Sequence, residues 1–194
     1  MYFCSMRKND AINLAVQNLK EGKLILCPTD SIYGISCDAT NEAAVQKIIE
    51  LKGRPEEKSF IVLVNSDRML NQCFNEIPAI VWDLVDFSDQ PLTIVMDKGI
   101  YIAPNVCNKD GSLGMRYIKE GAINDIIHRL NKPIISTSAN ISGEKNPLHF
   151  GEISNEIINA VDYVFPTEFA GKMSGRPSKV IRIAMNSEVQ ILRK

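Results

Sequence analysis

A single α/β domain built on a twisted mixed open sheet flanked by helices is the fold class this 194-residue chain predicts, and three observations predict it. Helical and extended apolar patterns alternate along the whole length. The strand candidates are short apolar runs rich in β-branched residues, such as Phe60-Ile61-Val62-Leu63-Val64, the composition of strands covered on both faces. With 45% apolar residues, the chain can bury an ample core without disulfides, and no repeat, low-complexity tract or linker divides it. Residues 1–194 therefore read as one domain.

The first helix follows Asp10, a good N-cap, with Ala11, Ile12, Leu14, Ala15, Val16 and Leu19 near a 3.6-residue period, and Gly22 stops it. A buried strand over 24–27 ends at Pro28, the polar loop Pro28-Thr29-Asp30-Ser31 follows, and 32–37 is extended again. Asn41 caps a second helix with Ala44, Val45, Ile48, Ile49 and Leu51 inward, which must end at Gly53 and Pro55. A strand over 60–64, helices near 67–74 and 77–85, and a strand over 92–96 come next. Beyond a loop at 97–111 lie a strand over 113–118, a helix over 122–130 and a strand over 133–135. The sequence closes with a Ser/Thr/Asn loop, a helix over 152–160, a strand over 163–165, a flexible basic loop over 171–178 and strands over 179–183 and 188–192.

Charge narrows the function classes. With 22 basic and 23 acidic residues the net charge is −1, which lacks the footprint of a general nucleic-acid binder. The five cysteines are widely spaced with no Cys-x-x-Cys pair, as in reduced thiols of a cytoplasmic protein. His128 and His149 are not at metal-ligand spacing, so a metal is expected to arrive with a substrate. No secretory leader and no membrane-spanning run is legible.

Three polar clusters carry the chemistry. In Lys52-Gly53-Arg54-Pro55, two cations two residues apart share a ligand only because the helix breaks between them; alternatively they complement the helix dipole. Ser136-Thr137-Ser138-Ala139-Asn140 concentrates hydroxyl and amide donors where a buried strand ends, more than one helix cap needs, and such donors suit phosphate or carboxylate oxygens. The loop holding Thr29, followed by Tyr33-Gly34, is either a turn or a contact for a small polar substrate. Neither a P-loop nor a dinucleotide fingerprint occurs.

Taken in order, the set resembles the YrdC-type threonylcarbamoyl-AMP synthase family: Pro28-Thr29-Asp30-Ser31-Ile32-Tyr33-Gly34, Lys52-Gly53-Arg54-Pro55 with Lys58, Arg116, Ser136 to Asn140 with Ser142-Gly143, Ser178 with Val180-Ile181, and Ile191-Leu192-Arg193. The resemblance runs from about Asn9 to the last residue. It implies a YrdC-like fold with a concave basic pocket. It also implies a nucleotidyltransferase that condenses L-threonine, bicarbonate and ATP into threonylcarbamoyl-AMP with release of pyrophosphate, toward threonylcarbamoyladenosine in tRNA. By the same resemblance Lys52, Arg54, Ser138 and Asn140 are the catalytic tetrad. ATP is bound by Arg54, Lys58, Ser112, Ser138, Asn140 and Arg193, and threonine by Thr29, Tyr33, Arg116, Ser136 and Ser178. Mg²⁺ comes with ATP, no protein-ligated metal is expected, and tRNA or its modification complex is a transient partner. No protein nucleophile is needed; the site has to align and neutralise two anions. Two alternatives stay open: an RNA-binding module, and a YciO-like relative acting on another carbamoyl or adenylate substrate, the branch that Leu113-Gly114-Met115-Arg116 resembles.

Overall fold

The computed structural model describes residues 6–53 and 60–194; Arg54 and Lys58 lie outside the described residues. Among the described residues nine strands form one mixed sheet in the order β7-β1-β2-β6-β3-β5-β4-β8-β9. These strands are β1 (Ile25–Pro28), β2 (Tyr33–Asp38), β3 (Ile61–Val64), β4 (Leu92–Met96), β5 (Leu113–Tyr117), β6 (Ile134–Ser138), β7 (Tyr163–Val164), β8 (Lys179–Ile183) and β9 (Val189–Arg193). The helices are α1 (Lys8–Lys20), α2 (Glu42–Lys52), α3 (Asp67–Cys73), α4 (Ala79–Phe87), α5 (Ala122–Leu130) and α6 (Asn155–Ala160). The predicted mixed sheet flanked by helices is the observed architecture.

Local chemistry accounts for most boundaries. In α5 the buried set Ala122, Ile123, Ile126, Ile127 and Leu130 makes one stripe, and Asn131, in the left-handed region at φ 56°, closes the helix. Asn41 Oδ1 accepts the Ala44 N–H at 3.1 Å at the start of α2. Gly53, at φ 53°, ends that helix, as its position predicted. Helix α1 begins two residues before Asp10, which sits instead in the first turn and pairs with Arg7 at 3.1 Å. The predicted helix over 152–160 is shorter: a 3-10 turn at Phe150–Glu152 precedes α6, which starts after Ser154.

One difference bears on function. The Ser-Thr-Ser run is not a loop after the strand; it is the strand. β6 continues through Ser138 because β2 pairs along it, with Gly34 opposite Ser138, Ile35 opposite Thr137 and Ser36 opposite Ser136. Alternation then puts Gly34, Ser36, Ser136 and Ser138 on one face and Ile35, Cys37 and Ile135 on the other. The register carries the first face onward through Ile61, Gly114 and Arg116, Thr93, and Val180. Apart from Ile61 and Val180, the residues named on this face are small or polar, while Val62, Met115 and Ile94 on the opposite face belong to the core. A sheet face without bulk at its centre leaves room for a ligand.

Candidate active site

A cavity of about 300 Å³ opens on the small-residue face. It is lined by side chains or backbone of Thr29, Tyr33, Arg116, Ser136, Ser138, Ser178 and Arg193, together with Gly34, Thr93 and Gly114. The structure therefore brings together all five residues expected at threonine, along with Ser138 and Arg193 from the ATP set. A second cavity of about 220 Å³ shares Thr29 and is lined mainly by apolar residues, among them Leu84, Leu92, Ile94 and Met115.

Gly34 makes the close approach of β2 and β6 workable. A Cβ there would lie 2.3 Å from Ser136 Oγ and 3.2 Å from the Thr137 carbonyl. Thr29 Oγ1 donates to the Ile32 carbonyl at 2.7 Å and lies 3.0 Å from Ser31 Oγ, so its hydroxyl holds the turn after β1. Tyr33 stands edge-on to Phe150, with ring centroids 5.6 Å apart. The Ser178 and Thr93 hydroxyls are 2.8 Å apart across β4 and β8, and Arg193 donates to the Ser178 carbonyl through Nε and Nη2 at 3.0 and 2.7 Å.

Arg116 is 5% exposed. Its Nη2 lies 3.1 Å from Asp30 Oδ1 as an ion pair, while Arg116 Nε and Asp30 Oδ1 are buried without a hydrogen-bond partner. Ser36 Oγ is likewise buried and without a partner. Burial pushes the Asp30 carboxyl up against the opposing pull of Arg116, and burial pushes the Arg116 guanidinium down, with Asp30 opposing and Arg193 adding to the shift. Both directions say that desolvation outweighs the attraction within the pair. Arginine nonetheless stays protonated in proteins, so Arg116 is a fixed cation. Each unmet buried group costs about 1–3 kcal/mol, and a bound molecule that supplies partners recovers it.

Lys52 takes a place that spacing did not predict. It is 2% exposed, at the last turn of α2, and its Nζ donates to the carbonyls of Ser138 and Asn140, both at 2.5 Å, and to Asn140 Oδ1 at 3.4 Å. Ser138 Oγ donates to Asn140 Oδ1 at 2.5 Å, and Asn140 Nδ2 donates to the Ile141 and Glu144 carbonyls. Lys52 and Asn140 thus meet beneath the turn that presents Ser138, and neither lines the cavity. Ser112 is also outside it: its hydroxyl donates to Asp110 Oδ1 at 2.6 Å and accepts from Asn108 Nδ2 at 2.8 Å.

Thr93 and Gly114 line the cavity and Asp30 meets Arg116 from outside it, and none of the three stands out in the sequence as a ligand contact. Alternation along the strands was the available signal for Thr93 and Gly114; nothing in the sequence announces the Asp30–Arg116 contact. The loop over 171–178 is docked, not loose: Ser174 and Gly175 N–H donate to the carbonyls of Asp30 and Ser31 at 2.9 and 3.0 Å. Among the described residues no group of three His, Cys, Asp or Glu side chains is placed to hold a metal, and no helix is long and apolar enough to cross a membrane.

Residues 17–194 match the model of the Sua5/YciO/YrdC family, described as "Telomere recombination". A threonylcarbamoyl-AMP synthase of Pseudoalteromonas translucida is 27% identical over 95% of this chain and 98% of its own length. A relative in Methanocaldococcus jannaschii, provisionally given the same name, is 32% identical over 90% of this chain and 81% of its own. Among solved structures, P. abyssi Sua5 complexed with L-threonine has a TM-score of 0.80 at 28% identity over 91% of this chain. The chain spans only 52% of that protein. E. coli YciO shares the fold at a TM-score of 0.81 and 21% identity over 97% of this chain. A family model matched over nearly the whole chain, on a fold shared with Sua5 and YciO, makes this protein a member of the Sua5/YciO/YrdC family.

Proposed function

We propose that the protein is a threonylcarbamoyl-AMP synthase, which condenses L-threonine, bicarbonate and ATP and releases pyrophosphate. The observation that carries this reading is Arg116: a buried, permanently charged guanidinium with an unmet Nε at a cavity lined by hydroxyls. A carboxylate answers that donor directly, and a planar fork recognises it better than a point charge does. Ser136, Ser178 and Thr29 surround the position with neutral donors and acceptors suited to an amino acid's polar groups. The curated relatives carry the activity as their name, and the P. abyssi neighbour holds L-threonine.

In this reading threonine's carboxylate rests on Arg116, and its amine combines with bicarbonate to give a carbamate with loss of water. A carbamate oxygen then attacks the α-phosphorus as the bond to pyrophosphate breaks. The nucleophile is the substrate's own, so the protein contributes alignment and charge. Arg193 and Ser138 stand on the cavity wall where the nucleotide's anionic part is assigned. ATP enters as its magnesium complex, the magnesium being part of the substrate. Arg54 and Lys58 are assigned to the phosphates on their place in the family motif alone. Lys52 and Asn140 act one step back, by shaping the turn that presents Ser138. The product is the activated form used to make threonylcarbamoyladenosine in tRNA.

The test is pyrophosphate release by the purified protein. It should require ATP, L-threonine and bicarbonate together; the same rate with threonine left out would reject the assignment.

A further inference from the structure

Two buried hydroxyls at the cavity carry one proton more than the protein uses. Thr93 and Ser178 are 1% and 2% exposed, both line the cavity, and their side-chain oxygens lie 2.8 Å apart. Each hydroxyl has one proton, and the bond between them consumes only one of the pair. Among the described residues the second proton meets no acceptor. The only other side-chain hydrogen bond either hydroxyl makes there comes from Arg193 Nη2, 3.3 Å from Ser178 Oγ, and a guanidinium can only donate. A buried donor left over in this way is costly until a bound molecule accepts it. Arg193 also decides which hydroxyl keeps the spare proton. Accepting from a cation polarises the Ser178 O–H and makes it the stronger donor, so Ser178 gives its proton to Thr93 Oγ1 and Thr93 retains its own. Thr93 stands directly opposite Arg116 across β4 and β5, a register that sets their Cβ atoms about 4.5–5.5 Å apart on one face. Arg116 Nε is unmet as well. Two spare donors from adjacent strands therefore stand side by side at one cavity.

We propose that Thr93 is a further threonine-binding residue, its hydroxyl donating to one carboxylate oxygen of L-threonine while Arg116 Nε donates to the other. This assignment takes threonine as the substrate, as the synthase reading above has it. A carboxylate at neutral pH has two acceptor oxygens and no proton, which matches two neighbouring donors and leaves neither unpaired. Ser178 then acts through Thr93: held by Arg193 at its carbonyl and its hydroxyl, it fixes the direction in which the Thr93 proton points.

Thr93→Val keeps the branched shape of the side chain and removes its proton. In the pyrophosphate-release assay the variant should show a KM for threonine raised about tenfold, the loss expected for one hydrogen bond to a charged group. Its kcat and its KM for ATP and for bicarbonate should stay within about twofold, since a group that only holds the substrate moves KM alone. Thr93→Ser restores a hydroxyl and should return the threonine KM toward the wild-type value. Calorimetric titration of each protein with L-threonine should show the same order of affinities without turnover. A threonine KM unchanged in Thr93→Val, or a rise that Thr93→Ser does not reverse, would overturn the role of Thr93 and leave the synthase reading standing. A rise confined to bicarbonate would also overturn it, by giving the donor to that anion. A wild type that neither binds threonine nor needs it for pyrophosphate release would reject the synthase reading and this assignment with it.

Discussion

Replacing Lys52 with Met separates two roles for the ammonium, holding a turn or touching a substrate. Methionine keeps the length and apolar stem of the side chain but removes every donor. In the wild type Nζ donates to the carbonyls of Ser138 and Asn140 at 2.5 Å each. The Ser138 carbonyl also accepts the Asn140 N–H at 2.9 Å and keeps that partner in the variant, whereas the Asn140 carbonyl loses the ammonium. A hydrogen bond from a charged donor is worth about 1.5–3 kcal/mol, and part of what is lost returns because a buried charge no longer has to be desolvated. The net expectation is a loss of about 3 kcal/mol. For a domain of this size that corresponds to a fall of about 6–12 °C in Tm. Calorimetry or thermal circular dichroism measures it, and pyrophosphate release assayed well below the variant's Tm should also fall, since Ser138 is presented by the loosened turn. A Lys52→Met protein that melts with the wild type yet has no activity would refute the anchoring role and return the ammonium to the substrate.

Three further outcomes follow from the geometry. Gly34→Ala places a methyl 2.3 Å from Ser136 Oγ and must turn that hydroxyl away, so the KM for threonine should rise about tenfold with little change in fold; an unaltered KM would remove Ser136 from the threonine site. Burial raises the Asp30 pKa above its ordinary 3.8, so Asp30 stabilises the fold fully below that value and progressively less as pH rises through its folded pKa. In urea titrations the stability of the wild type relative to Asp30→Asn should therefore fall as pH rises over that window, and a rise would contradict the desolvation argument. Burial pushes the Cys27 and Cys37 thiols far up and that of Cys73 up to about 12, so a thiol reagent at neutral pH should modify none of the three until urea is added; native-state labelling of Cys27 would refute their burial.

Much of the fold was legible because it is locally encoded. Periodic apolar residues with Asn41 and Gly53 at the ends delimit α2, and the stripe from Ala122 to Leu130 is α5 itself. The candidate cavity was legible as a set of residue types, in that Thr29, Tyr33, Arg116, Ser136 and Ser178 line it together. Orientation was not legible. Lys52 has the charge of a phosphate ligand, yet its amine is spent on two carbonyls 86 and 88 residues away. Ser112 has a hydroxyl of the right kind, yet Asp110 and Asn108 occupy it.

By itself the sequence determined where helices and strands form and which polar residues are available, since capping, periodicity and turn chemistry act over a few neighbouring residues. The tertiary structure decided which strands lie side by side, that the serines of β6 face Gly34 and Ser36 of β2, and that Arg116 sits against Asp30 with one donor unmet. Those contacts join residues far apart along the chain, and only the packing of the whole sheet sets their register and what each side chain meets.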